Sequence, residues 1–152
     1  VVAVNEKRKH QMANKILHAC GGSFKYKKIA VLGLTFKPNT DDMRDAPSLV
    51  IISALLKGGA EVFAYDPQGM DEAKKMLDGV HWCNGTYETM ENSDVVAILT
   101  EWNEFRALDL ERVKKLMNKP VMVDLRNIYN PDEMIGVGFD YYCVGRKTFN
   151  GS

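Results

Sequence analysis

Two short runs, Ile29 to Leu34 and Asp94 to Thr100, are apolar almost without interruption. A strand that is apolar on both faces belongs in a sheet covered by helices on both sides, which is the habit of parallel sheets. The spacing between and around these runs fits that requirement. Residues 3 to 20 predict a helix, with Val4, Met12, Ile16 and Cys20 roughly on one stripe and Gly21-Gly22 at its end. Pro47 to Lys57 predicts a second, with Pro in its first turn and Gly58-Gly59 beyond its last. Glu61 to Tyr65 is a strand, Met70 to Leu77 helical, His81 to Cys83 a short edge strand and Thr86 to Glu91 a short helix. Asp109 to Met117 repeats apolar residues at helical spacing; Val121 to Asp124 and Tyr141 to Val144 are the remaining strands. Strands alternating with helices imply right-handed parallel crossovers. The expected fold is α/β: a Rossmann-like, doubly wound, mostly parallel sheet in three α/β/α layers, preceded by the end of a long helix.

Charge and cysteine usage narrow the class of function. Twenty Lys plus Arg balance twenty Asp plus Glu in 152 residues, so nothing favours nucleic acid or an anionic membrane as partner. The longest apolar runs fall far below the roughly 20 residues that cross a bilayer. No charged-then-apolar leader opens the chain, and the expectation is a soluble, cytoplasmic protein. Its start at Val1-Val2, with no initiator Met, is expected of a piece cut from something longer. Cys20, Cys83 and Cys143 are odd in number and widely spread, which argues against a disulfide framework. His10, His18 and His81 show no ligand spacing, so no metal site is expected.

In an open parallel sheet a ligand sits beyond the carboxyl ends of the strands. That rule selects the segment after Leu34, Asp66, Thr100 to Trp102, and Arg126. The first is the most informative, because strand-to-helix connections usually take about 2 to 6 residues, whereas Thr35 to Ala46 is much longer. This loop carries Lys37 and Arg44, a point charge and a planar fork suited to phosphate or carboxylate. Neutralisation of Asp41, Asp42 and Asp45 in a solvated loop accounts for the same two cations about equally well. Arg126 can converge on the same crevice; a salt bridge to Asp124 or a capping contact is the plainer account of it.

Gly33 stands alone where a dinucleotide-binding domain has G-x-G-x-x-G, so phosphates here have to be held by side chains instead of a glycine turn. Asp66 lies where a ribose-binding acid often sits, but Asp66-Pro67 reads better as a turn. Trp102 is placed to stack on a base, though such a residue more often packs under a helix, and Trp82 reads as core. His81 and Cys83 share a strand face, best explained as a buried pair. No nucleophile elbow, P-loop or paired base is present, so no catalytic residue is assigned.

The segment Lys28 to Ser48, KIAVLGLTFKPNTDDMRDAPS, resembles the signature of the C-terminal domain of the UDP-glucose/GDP-mannose dehydrogenase family, most closely its bacterial-type, UDP-glucose-oxidising members. The likeness continues through VFAYDP (62–67), TEWNEF (100–105), VDLRNI (123–128) and FDYYCVGR (139–146). It implies an NAD-dependent oxidoreductase that takes the C6 hydroxyl of a nucleotide sugar to a carboxylate through a thiohemiacetal and a thioester on a cysteine. It further implies that the N-terminal NAD-binding domain and the catalytic Cys precede Val1, so that the isolated fragment is inactive. Residues 1–22 match the end of the helix that links the family's two domains and forms its homodimer, and residues 23–152 match the nucleotide-sugar-binding domain. Position by position, the resemblance implies that Phe36, Lys37 and Arg126 contact the UDP-sugar substrate. It places Arg44 towards the NAD cofactor and gives Asp41 and Asp42 the task of orienting these cations. Asp45-Ala46 departs mildly from the family pattern, and the three cysteines do not match the nucleophile's motif. Two alternatives stay open: the same domain from a UDP-N-acetylhexosamine or GDP-mannose dehydrogenase, and a non-catalytic Rossmann-like binding module.

Overall fold

A computed structural model describes residues 2–35, 38, 39, 43 and 46–144, with side chains from residue 7 onwards. Phe36, Lys37, Arg44 and the acidic residues Asp41, Asp42 and Asp45 lie outside the described residues. The strands are β1 (Lys28–Leu32), β2 (Glu61–Tyr65), β3 (His81–Trp82), β4 (Val95–Ile98), β5 (Val121–Asp124) and β6 (Asp140–Cys143). They form one sheet in the order β3-β2-β1-β4-β5-β6, and every neighbouring pair is parallel. Strand order reverses between β1 and β4, so the crevice expected of a doubly wound sheet opens at their carboxyl ends. β4 is buried at all four positions and β1 at its last four, as their apolar runs require, and β5 is buried throughout, Asp124 included.

The helices are α1 (Val2–Ala19), α2 (Pro47–Lys57), α3 (Met70–Lys74), α4 (Thr86–Met90), α5 (Asn103–Arg106), α6 (Leu110–Leu116) and α7 (Pro131–Val137). Alternate residues of each central strand feed two separate cores. Ile29, Val31, Val95, Ala97, Val121 and Val123 pack with Ile16 of α1, Ile51, Ile52 and Leu55 of α2 and Ala73 of α3. On the opposite face Ala30, Leu32, Val96, Ile98 and Met122 pack with Met90, Phe105, Val113 and Met134 from the later helices. This is the three-layer α/β/α arrangement, and the sheet is entirely parallel.

α1 belongs to one of those layers. It lies against α2 and β5, buries Ile16 completely, and Lys15 donates to the Cys143 carbonyl at 2.6 Å. Its amphipathic stripe therefore covers the β5–β6 half of the sheet that α2 and α3 leave bare.

Several local expectations need correction. α3 ends at Lys74 instead of reaching Leu77. α5 and α7 lie where hydrophobic periodicity assigns nothing. Each is shorter than two full turns of apolar repeat, but α7 carries its own signals: the Asn130 side chain accepts from Asp132 N–H, Pro131 opens the helix, and Gly138 closes it at φ 106°. Trp82 is half-buried because β3 is the sheet edge. His81 is exposed and stacks on Phe63 at 4.4 Å, so His81 and Cys83 do not form a buried pair.

Since Ile16 is as buried as the central strands, Ile16→Ala is expected to cost about 2–5 kcal/mol in a denaturant titration. A loss below about 1 kcal/mol would mean that α1 is only loosely attached to the domain.

Candidate functional site

Chain direction changes sharply just past β1. Gly33 takes φ 92°, and a Cβ there would come within 2.6 Å of Thr100, so only glycine lets the ends of β1 and β4 approach this closely. The next residues cannot continue the ladder, and their backbone groups are taken up by side chains. Leu34 N–H and Thr35 N–H donate to Asp66 at 2.7 and 3.2 Å. Ser48 of α2 donates to the Leu34 carbonyl at 2.6 Å, and Thr100 donates to the Thr35 carbonyl at 2.7 Å. The long loop therefore leaves the sheet from a pair of residues, Leu34 and Thr35, that together are tied to α2 and to the residues just past β2 and β4.

Asp66 is 1% exposed. Its other oxygen accepts from Gln68 N–H and Gly69 N–H at 2.9 and 2.7 Å, which is the turn expected of Asp66-Pro67. Trp102 Nε1 donates at 3.2 Å to the oxygen that holds Leu34 and Thr35. With these partners the carboxylate has no capacity left for a ribose hydroxyl. In a glycine-turn dinucleotide site the N–H groups after β1 face a pyrophosphate; here an internal carboxylate holds them. Trp102 is likewise internal, 6% exposed, and belongs to the core on the later-helix side.

Asp124 does for β5 what Asp66 does for β1. Fully buried, it accepts from the N–H groups of Arg126, Ile128 and Tyr129 at 3.1, 2.9 and 3.0 Å and from the Tyr141 hydroxyl at 2.6 Å. Burial first, then the bond to Asp124, raises the Tyr141 phenol well above its ordinary range. The Tyr129 hydroxyl donates to the Phe105 carbonyl, and burial pushes it up to about 12.

Arg126 emerges from that turn at the crevice. Its guanidinium reaches across to Glu101, beyond the end of β4, with Nε 2.6 Å and one Nη 2.5 Å from the same carboxylate oxygen. The expected partner Asp124 takes only the backbone N–H. Arg126 also joins Met12, Pro47, Ile51, Leu99 and Leu125 around a cavity of about 10 Å³. Arg126 is thus at the predicted crevice, and Glu101 is the neighbour that sequence reasoning did not single out. Its signal is its position just past a fully buried strand, beside the next strand's exit.

All three cysteines are free and buried. Burial pushes the Cys20 thiol up to about 11 and raises that of Cys83, so neither is held as a thiolate near neutral pH. Among the described residues no group of His, Cys, Asp or Glu is placed to hold a metal ion, and no helix is long and apolar enough to cross a membrane.

A six-stranded parallel sheet with this strand order, and with polar side chains gathered at the switch point, defines a doubly wound domain of the nucleotide-binding type. Residues 30–131 match the sequence model described as "UDP-glucose/GDP-mannose dehydrogenase family, UDP binding domain". The chain belongs to the UDP-glucose/GDP-mannose dehydrogenase family. It is 52% identical over 145 residues to the UDP-glucose 6-dehydrogenase of Rhizobium meliloti, a match covering 95% of this chain and 33% of that protein. It is 41% identical over 153 residues to UDP-glucose 6-dehydrogenase TuaD of Bacillus subtilis, covering 100% and 33%. In structure it is similar to the NDP-N-acetyl-D-galactosaminuronic acid dehydrogenase of Methanosarcina mazei, with a TM-score of 0.82 and 31% identity over 98% of this chain and 31% of that one. The chain spans about a third of the length of the curated relatives it matches.

Asp66→Ala would leave the N–H groups of Leu34, Gly69 and Trp102 without an acceptor. It is expected to lower unfolding stability by about 3 kcal/mol or more in urea, with Asp66→Asn intermediate.

Proposed function

We propose that this chain is the nucleotide-sugar-binding part of a UDP-glucose 6-dehydrogenase, and that the full enzyme oxidises UDP-glucose to UDP-glucuronate with NAD. In this reading residues 23–152 bind the UDP-sugar, and residues 1–22 close the helix leading from an upstream NAD-binding domain that carries the catalytic cysteine. The assembled enzyme is a homodimer. Phe36, Lys37 and Arg126 contact the substrate, and Arg44 reaches towards NAD. NAD supplies the hydride acceptor; this chain's own residues bind and orient the sugar nucleotide.

The observation that carries the reading is the position of Arg126. It stands at the carboxyl end of β5, next to the switch point where the long loop leaves β1, and offers a charged fork to a diphosphate. The turn after β1 supports the same division of labour, because its N–H groups at Leu34 and Thr35 are held by Asp66 and a dinucleotide's own phosphates need another domain. UDP-glucose is preferred over an N-acetylhexosamine nucleotide because identity is 52% to the R. meliloti UDP-glucose 6-dehydrogenase against 31% to the M. mazei N-acetylgalactosaminuronic acid enzyme.

UDP is expected to raise the melting temperature of the chain in a thermal-shift titration, GDP to raise it less, and NAD to leave it nearly unchanged, since only a ligand of the folded form stabilises it. A shift with NAD alone contradicts the assignment. In the full-length enzyme, Lys37→Ala is expected to raise KM for UDP-glucose at least tenfold, about 1.4 kcal/mol, with little change for NAD, and Arg44→Ala to do the reverse. Steady-state NADH formation with each substrate varied separates the two.

A further inference from the structure

We propose that Glu101 is a positioning residue for Arg126: it holds the guanidinium at the mouth of the crevice so that the free N–H edge meets the phosphate of a nucleotide. This rests on the reading of Arg126 as a substrate contact.

The two residues leave adjacent parallel strands whose last paired positions are Ile98 and Asp124. Both Arg126 contacts fall on one Glu101 oxygen, through Nε and one Nη. A guanidinium carries five N–H donors in a rigid plane, so an edge remains for a second anion while the first sets the plane. The backbone beneath is held independently. Leu125 N–H donates to the Ile98 carbonyl at 3.0 Å, and Arg126 N–H to Asp124 at 3.1 Å. Asn127, at φ 54°, exchanges side-chain hydrogen bonds with Val144 at 3.0 Å in both directions. The cavity of about 10 Å³ that Arg126 helps to line admits at most one water.

With the backbone pinned before and after Arg126, the remaining freedom lies in the side-chain torsions, which the ion pair restricts. Side chains of 30% and 23% exposure leave the pair reachable from solvent, where a surface salt bridge adds little to stability. The contact therefore matters more for where the guanidinium points than for how firmly the domain folds. An arginine ordered before the ligand arrives loses less freedom on binding, at the cost of some of its raw attraction for an anion.

The test is calorimetric titration of UDP into the wild-type chain, Glu101→Gln, Glu101→Ala, Arg126→Ala and the Glu101→Ala/Arg126→Ala double variant, with melting curves to verify folding. Glu101→Ala is expected to weaken UDP binding about three- to tenfold. Glu101→Gln keeps an acceptor oxygen for Nε and recovers most of it. In the Arg126→Ala background, removal of Glu101 changes nothing further, which a merely structural role would not produce. Unchanged or tighter binding by Glu101→Ala overturns the proposal, as does an equal loss without Arg126. Wild-type binding that Arg126→Ala weakens and Glu101→Ala does not removes the inference alone. Absence of UDP binding by the wild type removes the reading of the site and the inference with it.

Discussion

Where the chain turns away from a covered sheet below the surface, each buried backbone group released from the ladder needs a partner from the protein. In this molecule buried carboxylates supply it. Asp66 gathers the turn after β1, the turn after β2 and the Trp102 indole into one cluster. Asp124 gathers the turn after β5 and Tyr141 of β6 into another. A negative charge taken out of water is tolerable only when its lone pairs are filled, and both are. The surfaces that face the crevice depend on these two knots.

That arrangement separates the domain from a dinucleotide site built on the same topology. The strand order is the same, and one glycine, Gly33, still permits the ends of β1 and β4 to come together. The turn that follows points its N–H groups at an internal acid. Any anion recognition at this edge then has to come from side chains on the loops, where Arg126 is held by a carboxylate from the neighbouring strand exit. A site of this kind gains directional hydrogen bonds from a rigid fork, where a glycine turn relies on backbone approach.

Much of this was legible in the residues. The apolar runs through β1 and β4 demanded a covered sheet, and the alternation of element types demanded parallel strands. Pro47 and Gly58-Gly59 bracket α2 as read. The overlong segment after β1 and Arg126 after β5 follow from the carboxyl-end rule without coordinates. Short helices were less visible: α5 has four residues, too few to express a period, and α7 is announced by its caps more than by its pattern.

Sequence by itself determined which segments form strands and helices, that the strands run parallel in a covered sheet, and which positions fall at the strands' carboxyl ends, because these depend on local hydrophobic period and on the alternation of strand and helix. Tertiary structure alone decided the partners. Asp66 meets Trp102 across 36 positions and Arg126 meets Glu101 across 25, and no local pattern encodes which carboxylate fills which gap. Such pairings arise only when separate strand ends are brought within hydrogen-bonding distance, and there the cost of leaving a buried donor or charge unmatched selects one arrangement among many.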